Sequence, residues 1–303
     1  MTLFHGMVTP APTPFNADGS IAPERIEPLA VFHKEKGIGG FFSVGTWGAF
    51  PLMSTEERKV IGAAWCQAGQ KVGLPVAIQI GSPSMQEACE LAKHAVDNGA
   101  DAVASVIPYY YASAGFYGID HYKTYFAALL KAAGGKPVML YNNPRTTGAL
   151  LTPAQFVELC QEGVSGIKDG SVSADWLTDA IDLLEQAGIK NCEIMPGNTS
   201  GLLFGLMYGV KAIVSGTAVT SPELCNAVIA AWKAGENDKA AKLHRRVLTI
   251  QRTITKLGKP PVLAYGLLKR LGVDIGASRL PWMAPSEADL DKLHARIKEI
   301  EAA

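Results

Sequence analysis

Neither sign of charge prevails in this chain: 28 Lys and Arg stand against 28 Asp and Glu, a formal net charge of zero. A surface without a charge excess offers no electrostatic footprint for nucleic acid or for an anionic membrane. Cysteine is scarce as well. The five (Cys66, Cys89, Cys160, Cys192 and Cys225) are odd in number, scattered and without C-x-x-C spacing. That argues for reduced thiols in a cytoplasmic protein rather than a disulfide framework or a zinc site. No apolar run is long enough to span a bilayer. Met1-Thr2-Leu3-Phe4-His5-Gly6 has neither the basic region nor the apolar stretch of a secretory signal. No phosphate-binding glycine fingerprint follows the first apolar run. The six histidines (His5, His33, His94, His121, His244, His294) fall mostly on expected helices without ligand spacing, so solvated faces are expected for them. The chain is therefore expected to need no metal and no organic cofactor.

What is present is a regular alternation. With 303 residues and 48% apolar composition, the chain can bury a large core as one α/β barrel or as two smaller domains. Short β-rich runs at 6–9, 40–44, 75–80, 102–107, 137–141, 164–168, 192–196 and 212–215 are spaced by the length of a βα unit. Amphipathic stretches fill the gaps. Ser54 stands three residues before Glu57, the spacing of a capping box, and Thr152-Pro153 opens another helix. Eight repeats without a composition shift or linker predict one (β/α)8 TIM barrel over residues 1–220. Residues 221–303 read as almost wholly helical. They are too long for an eighth helix alone and predict a C-terminal helical extension packed on the barrel.

Barrel active sites gather at the C-terminal ends of the strands. Lys168 closes the apolar run Val164-Ser165-Gly166-Ile167-Lys168 there. Lysine avoids such positions because an ammonium loses its water; the same desolvation yields a neutral amine able to attack a carbonyl carbon. The competing reading is a lysine that reaches the surface or pairs with Asp169. Tyr141 ends strand five, Gly45-Thr46-Trp47-Gly48 follows strand two, and Pro108-Tyr109-Tyr110-Tyr111 follows strand four. Gly197-Asn198-Thr199 and Ser215-Gly216-Thr217 follow strands seven and eight. Lys211 precedes its strand and Lys259 lies in the helical tail, so neither competes with Lys168. Tyr141 alone reads equally well as a rim aromatic, and Tyr109 and Tyr111 read better as interface packing than as chemistry.

In this order the segments carry a resemblance. Thr13-Pro14-Phe15 with Asp18-Gly19, Gly45-Thr46-x-Gly48, Pro108-Tyr109-Tyr110 and Leu140-Tyr141-Asn142-x-Pro144 with Thr147-Gly148 come first. Gly166-Ile167-Lys168-Asp169, Ile213-Val214-Ser215 and Arg279-Leu280-Pro281 complete the set. The chain resembles the dihydrodipicolinate synthase / N-acetylneuraminate lyase family of Schiff-base-forming barrels over nearly its whole length. The resemblance implies a lyase whose lysine, Lys168, condenses with pyruvate or another 2-oxo acid and makes or breaks a C–C or C–O bond. It implies that Tyr141 shuttles protons through Thr46 and through Tyr110 of a neighbouring subunit, within a homotetramer built from tight dimers. It also implies that Gly45 and Gly48 let backbone N–H groups approach the substrate carboxylate. Trp47, Asn143, Arg145, Gly197 and Val214 fill out the substrate-binding set.

Departures from the family pattern bear on the substrate. Synthases of the family carry a second threonine and then a glutamate in the strand-two loop, where this chain has Trp47 and Ala49. Their arginine two residues after the proline is Thr146 here, and Arg145 stands one residue early. Met85 replaces a residue of their lysine-inhibitor site. These differences favour a catabolic relative acting on a sugar-derived or hydroxylated 2-oxo acid over 4-hydroxy-tetrahydrodipicolinate synthase itself. Trp47 is expected to narrow the mouth, with Arg145 and Asn143 at the far end of the second substrate. A reading from another class is a non-catalytic barrel that binds a 2-oxo acid; such a module has no need of a desolvated amine beside a phenol.

Overall fold

Near-continuous apolar runs separated by amphipathic stretches form a parallel sheet buried on both faces. The computed structural model describes residues 2–171 and 173–303; Met1, where the expected barrel segment begins, and Val172 lie outside them. Eight strands form: β1 (Gly6–Pro10), β2 (Gly40–Ser43), β3 (Val76–Gln79), β4 (Ala102–Val106), β5 (Val138–Asn142), β6 (Gly166–Asp169), β7 (Glu193–Pro196) and β8 (Ala212–Val214). They pair in parallel in the order β7-β6-β5-β4-β3-β2-β1-β8. β7 and β8 meet at the closing seam, where no hydrogen-bonded ladder joins them among the described residues. The expected eight-stranded barrel is therefore observed, with strand ends moved by one or two residues and its last outer helix falling beyond residue 220.

The helices between the strands start where local chemistry says they should. Ser54 and Glu57 form a reciprocal capping box on the helix Thr55–Val72, and Thr152 with Gln155 does the same for Pro153–Gln161. The helix Met85–Asp97 is capped by Ser84. Pro222–Lys233 packs on β1 as the eighth outer helix. Three further helices follow: Asn237–Leu257, Pro260–Arg270 and Glu287–Ala302.

This C-terminal part returns to the beginning of the chain. The Tyr265 hydroxyl donates to the Thr13 carbonyl at 2.7 Å, and Ala277 N donates to the Phe15 carbonyl at 3.0 Å. Arg279 donates to the Gly19 and Leu52 carbonyls, both at 2.7 Å, forms a two-pronged pair with Glu57, and lies over the Phe15 ring. That hydrogen-bonded pairing holds the Glu57 carboxyl down to about 2. No helix among the described residues is long and apolar enough to cross a membrane.

Two expectations from sequence need correction. His33 does not lie on a solvated face: it is fully buried between Phe32 and Phe41, with Nε2 3.1 Å from the Val219 carbonyl. A polar side chain on an apolar helix face was assigned to water when it belonged to the core. The cysteines are free but not all scattered, since the fold brings the Cys160 and Cys192 sulfurs to 3.3 Å across β6.

Candidate active site

β-register does most of the assembly. Val106, Tyr141, Lys168 and Met195 are successive partners across β4, β5, β6 and β7, so they lie level near the carboxyl end of the barrel. Strand alternation then sorts the side chains. Tyr141 and Lys168 share one face, and their neighbours Asn142 and Asp169 share the other. There Asn142 Nδ2 donates to Asp169 Oδ1 at 2.7 Å, and the Ser171 hydroxyl donates to Oδ2 at 2.6 Å. Asp169 therefore points away from the Lys168 amine.

Lys168 is 3% exposed. Its Nζ lies 4.0 Å from the centre of the Phe42 ring and 3.8 Å from that of Tyr141, between two aromatic walls that meet edge to face at 5.2 Å. Burial pushes the Lys168 pKa below the ordinary lysine value, with Tyr141 acting in the opposite direction. The ring faces offset part of the cost of the buried charge, and the net shift is downward, toward the neutral amine.

Around the Tyr141 hydroxyl a small polar triangle closes. Thr46 Oγ1 is 3.2 Å from Tyr141 Oη, and the Asn143 amide nitrogen donates to Tyr141 Oη at 3.1 Å and to Thr46 Oγ1 at 3.2 Å. Thr46 reaches this point because its loop turns sharply. Val44, just before it, is held at φ 54°, where a β-branched residue is strained by about 1–3 kcal/mol. Gly48 makes room for the turn: a Cβ there would stand 3.0 Å from the Val44 backbone. The Thr13 hydroxyl fastens the Gly48 carbonyl at 2.6 Å. The N–H groups of Gly45, Thr46, Trp47 and Gly48 donate to no acceptor among the described residues. They are free to receive a carboxylate.

Trp47 lies across to the other side of the mouth. Its indole packs so closely on Gly216, after β8, that an added Cβ would stand 2.1 Å from the ring. Gly197 follows β7 with its N–H on the Asp169 carbonyl at 2.6 Å, and Val214 is buried at the end of β8. Behind them Thr199, Ser215 and Thr217 form a buried hydroxyl cluster with both contacts at 2.9 Å.

Sequence-predicted residues thus divide. Lys168, Tyr141, Thr46 and Asn143 converge, and the Gly45–Gly48 loop borders them. Arg145 does not join them: it sits exposed on the short helix Pro144–Thr147, with no side-chain hydrogen bond or ion pair among the described residues. Tyr110 is 71% exposed on the helix Tyr109–Ser113, its ring against that of Tyr111. Phe42 and Gly216 were not singled out from sequence. Phe42 had a signal, its place on the strand that leads into Gly45-Thr46; Gly216 had none beyond its place after β8.

This geometry has relatives. The model of the dihydrodipicolinate synthetase family matches residues 3–300. The chain is 31% identical, over 98% of its length and 94% of the relative's, to a DapA-like lyase of Halobacterium salinarum. It is also 31% identical to a probable 2-dehydro-3-deoxy-D-pentonate aldolase of Escherichia coli, over 97% of this chain and 96% of that one. Among solved structures it is similar to a prophage protein of the dihydrodipicolinic acid synthase family from E. coli, determined in complex with pyruvate. The TM-score is 0.90 and the identity 26%, with both chains covered completely.

Proposed function

This chain belongs to the dihydrodipicolinate synthetase family and is a lyase; on that premise we propose that Lys168 forms a Schiff base with pyruvate, or with a 2-oxo acid that yields it. The neutral amine attacks C2, and the carbinolamine loses water to leave a protonated imine. That imine takes up the electron pair released when a C3–C or C3–H bond breaks, and as the enamine it returns the pair to form a bond at C3 or to expel a leaving group from C4. Tyr141 gives and takes the protons, and Thr46 passes them on. The N–H groups of the Gly45–Gly48 loop hold the carboxylate. Trp47, Gly197 and Val214 line the space for the rest of the substrate. The observation that carries this reading is the Lys168 amine, buried between Phe42 and Tyr141 at the strand ends.

The substrate is a sugar-derived or hydroxylated 2-oxo acid, of which the 2-oxo-acid part stays on Lys168 and the remainder is released or added. The pentonate aldolase among the relatives supports this, as do the indole in the mouth and the exposed position of Arg145. The catalytic unit is a tight dimer, paired into a homotetramer, in which Tyr110 reaches the neighbour's Thr46. Free thiols throughout support a reducing, cytoplasmic setting.

Borohydride reduction in the presence of pyruvate tests the central step. One pyruvyl adduct is expected, on Lys168, and Lys168→Ala should lose both the adduct and turnover. An adduct on Lys211 or Lys259 instead, or none with any 2-oxo acid, overturns the reading.

A further inference from the structure

Tyr141 and Asn143 stand two residues apart at the end of β5, and in an extended chain that spacing puts both side chains on one face. The family pattern specifies the tyrosine, the asparagine after it and the proline, and leaves position 143 open. Here the position is filled by an amide that touches both hydroxyls of the proton path at once, 3.1 Å from Tyr141 Oη and 3.2 Å from Thr46 Oγ1. Its carbonyl end lies toward Gly170, where an added Cβ would stand 3.4 Å from Asn143 Oδ1. We propose that Asn143 is a positioning residue of the reaction, which sets the direction of proton flow between Tyr141 and Thr46, rather than a contact to the far end of the substrate.

The argument is a count of donors and acceptors. The amide nitrogen offers two protons and accepts none, so each hydroxyl oxygen receives one bond from Asn143. The contact of 3.2 Å between the two hydroxyls then has one proton to place. If Tyr141 donates to Thr46, the Tyr141 oxygen keeps one lone pair free to take a proton from the substrate, and the Thr46 proton is free to leave. If Thr46 donates to Tyr141, both lone pairs of the phenol are filled and its own proton points to the substrate. The first state is a base and the second an acid. The base becomes the acid when Tyr141 takes a proton from the substrate, passes its own to Thr46 across this contact, and the earlier Thr46 proton leaves; the reverse transfers restore it. An amide donating to both oxygens supports these two states equally and carries no proton itself. It also stabilises negative charge on whichever oxygen gives up its proton. A carboxylate in its place would draw both hydroxyl protons to itself and leave neither state.

This inference rests on the Schiff-base reading, and one experiment separates their failures. Pyruvate in D2O exchanges its methyl protons through the enamine, so proton NMR follows the proton path without a second substrate. Asn143→Ala and the equal-sized Asn143→Asp are compared with the native chain, with borohydride trapping at Lys168 as a check that the site is assembled. Both variants should still form the pyruvyl adduct. At saturating pyruvate their exchange rate should fall about 10- to 100-fold, with Asn143→Asp the slower, while half-saturation moves less than about threefold. Unchanged exchange in both variants overturns the inference. So does a raised half-saturation with the saturated rate intact, the signature of a substrate contact. Absence of an adduct in the native chain removes the Schiff-base reading, and this one with it.

Discussion

Gly216 has no side chain, and that lets the Trp47 indole lie against the backbone after β8. The position is set by space, not by backbone conformation, so the smallest substitution is informative. Gly216→Ala should push the indole off its seat, reorder kcat/KM across a panel of hydroxylated 2-oxo acids, and cost about 1–3 kcal/mol of stability by overpacking. Urea unfolding and the substrate panel measure the two effects, and an unchanged ranking would remove Trp47 from specificity. Single residues were readable from sequence when their chemistry was out of place. Lys168 at the end of an apolar run was one, and Tyr141 at a strand end with Thr46 in the Gly45–Gly48 loop was another. Phe42 and Gly216 were not, because an apolar ring on an apolar strand and a glycine in a loop look ordinary until the facing residue is known. Arg145 shows the converse. Its charge suggested a contact, but one turn of helix after Pro144 leaves it exposed.

The five-residue helix Tyr109–Ser113 leaves Tyr110 71% and Tyr111 53% exposed, with Phe116 at 69% just beyond. Their rings touch edge to face, Tyr110 to Tyr111 and Tyr111 to Phe116. Such a cluster is poorly placed in water and well suited to a two-fold contact. Tyr109, by contrast, turns inward against Phe50. If Tyr110 completes the partner's proton path, inactive Tyr110→Phe and inactive Lys168→Ala subunits should restore part of the activity when mixed, because some hybrid sites carry both native residues. No recovery in oligomers shown to be mixed would count against the shared site. At this scale the strands were readable to within a residue or two, since apolar runs bounded by glycine, proline and polar residues mark them. The short helices Tyr109–Ser113 and Pro144–Thr147 were not. Four or five residues are too few for helical periodicity to register, and their position comes from the strand ends they close.

Across the whole molecule, acid should act through the core before it reaches the mouth. His33 is fully buried, its Nδ1 has no partner among the described residues, and burial pushes its pKa down to about 4 from the ordinary 6.5. Between those values the unfolded chain binds more protons at this site than the folded one. The contribution of a neutral His33 is therefore intact above 6.5 and lost as pH falls toward 4. The loss at pH 5 amounts to about 2 kcal/mol. Urea unfolding at pH 7 and pH 5 should show a larger drop for the native chain than for His33→Leu, and equal drops would place the acid sensitivity elsewhere.

The clasp of Arg279 on Gly19, Leu52 and Glu57 also has a meaning in time. A ribosome makes the loops after β1 and β2 early, and it makes Arg279 only after all eight strands have emerged. Until then Thr13, Phe15 and Glu57 wait without Tyr265, Ala277 and Arg279 to hold them. A growing chain can close its sheet at β8 while the rim that carries Thr46 still lacks its fastening. The oldest part of the nascent chain is fastened by one of the youngest.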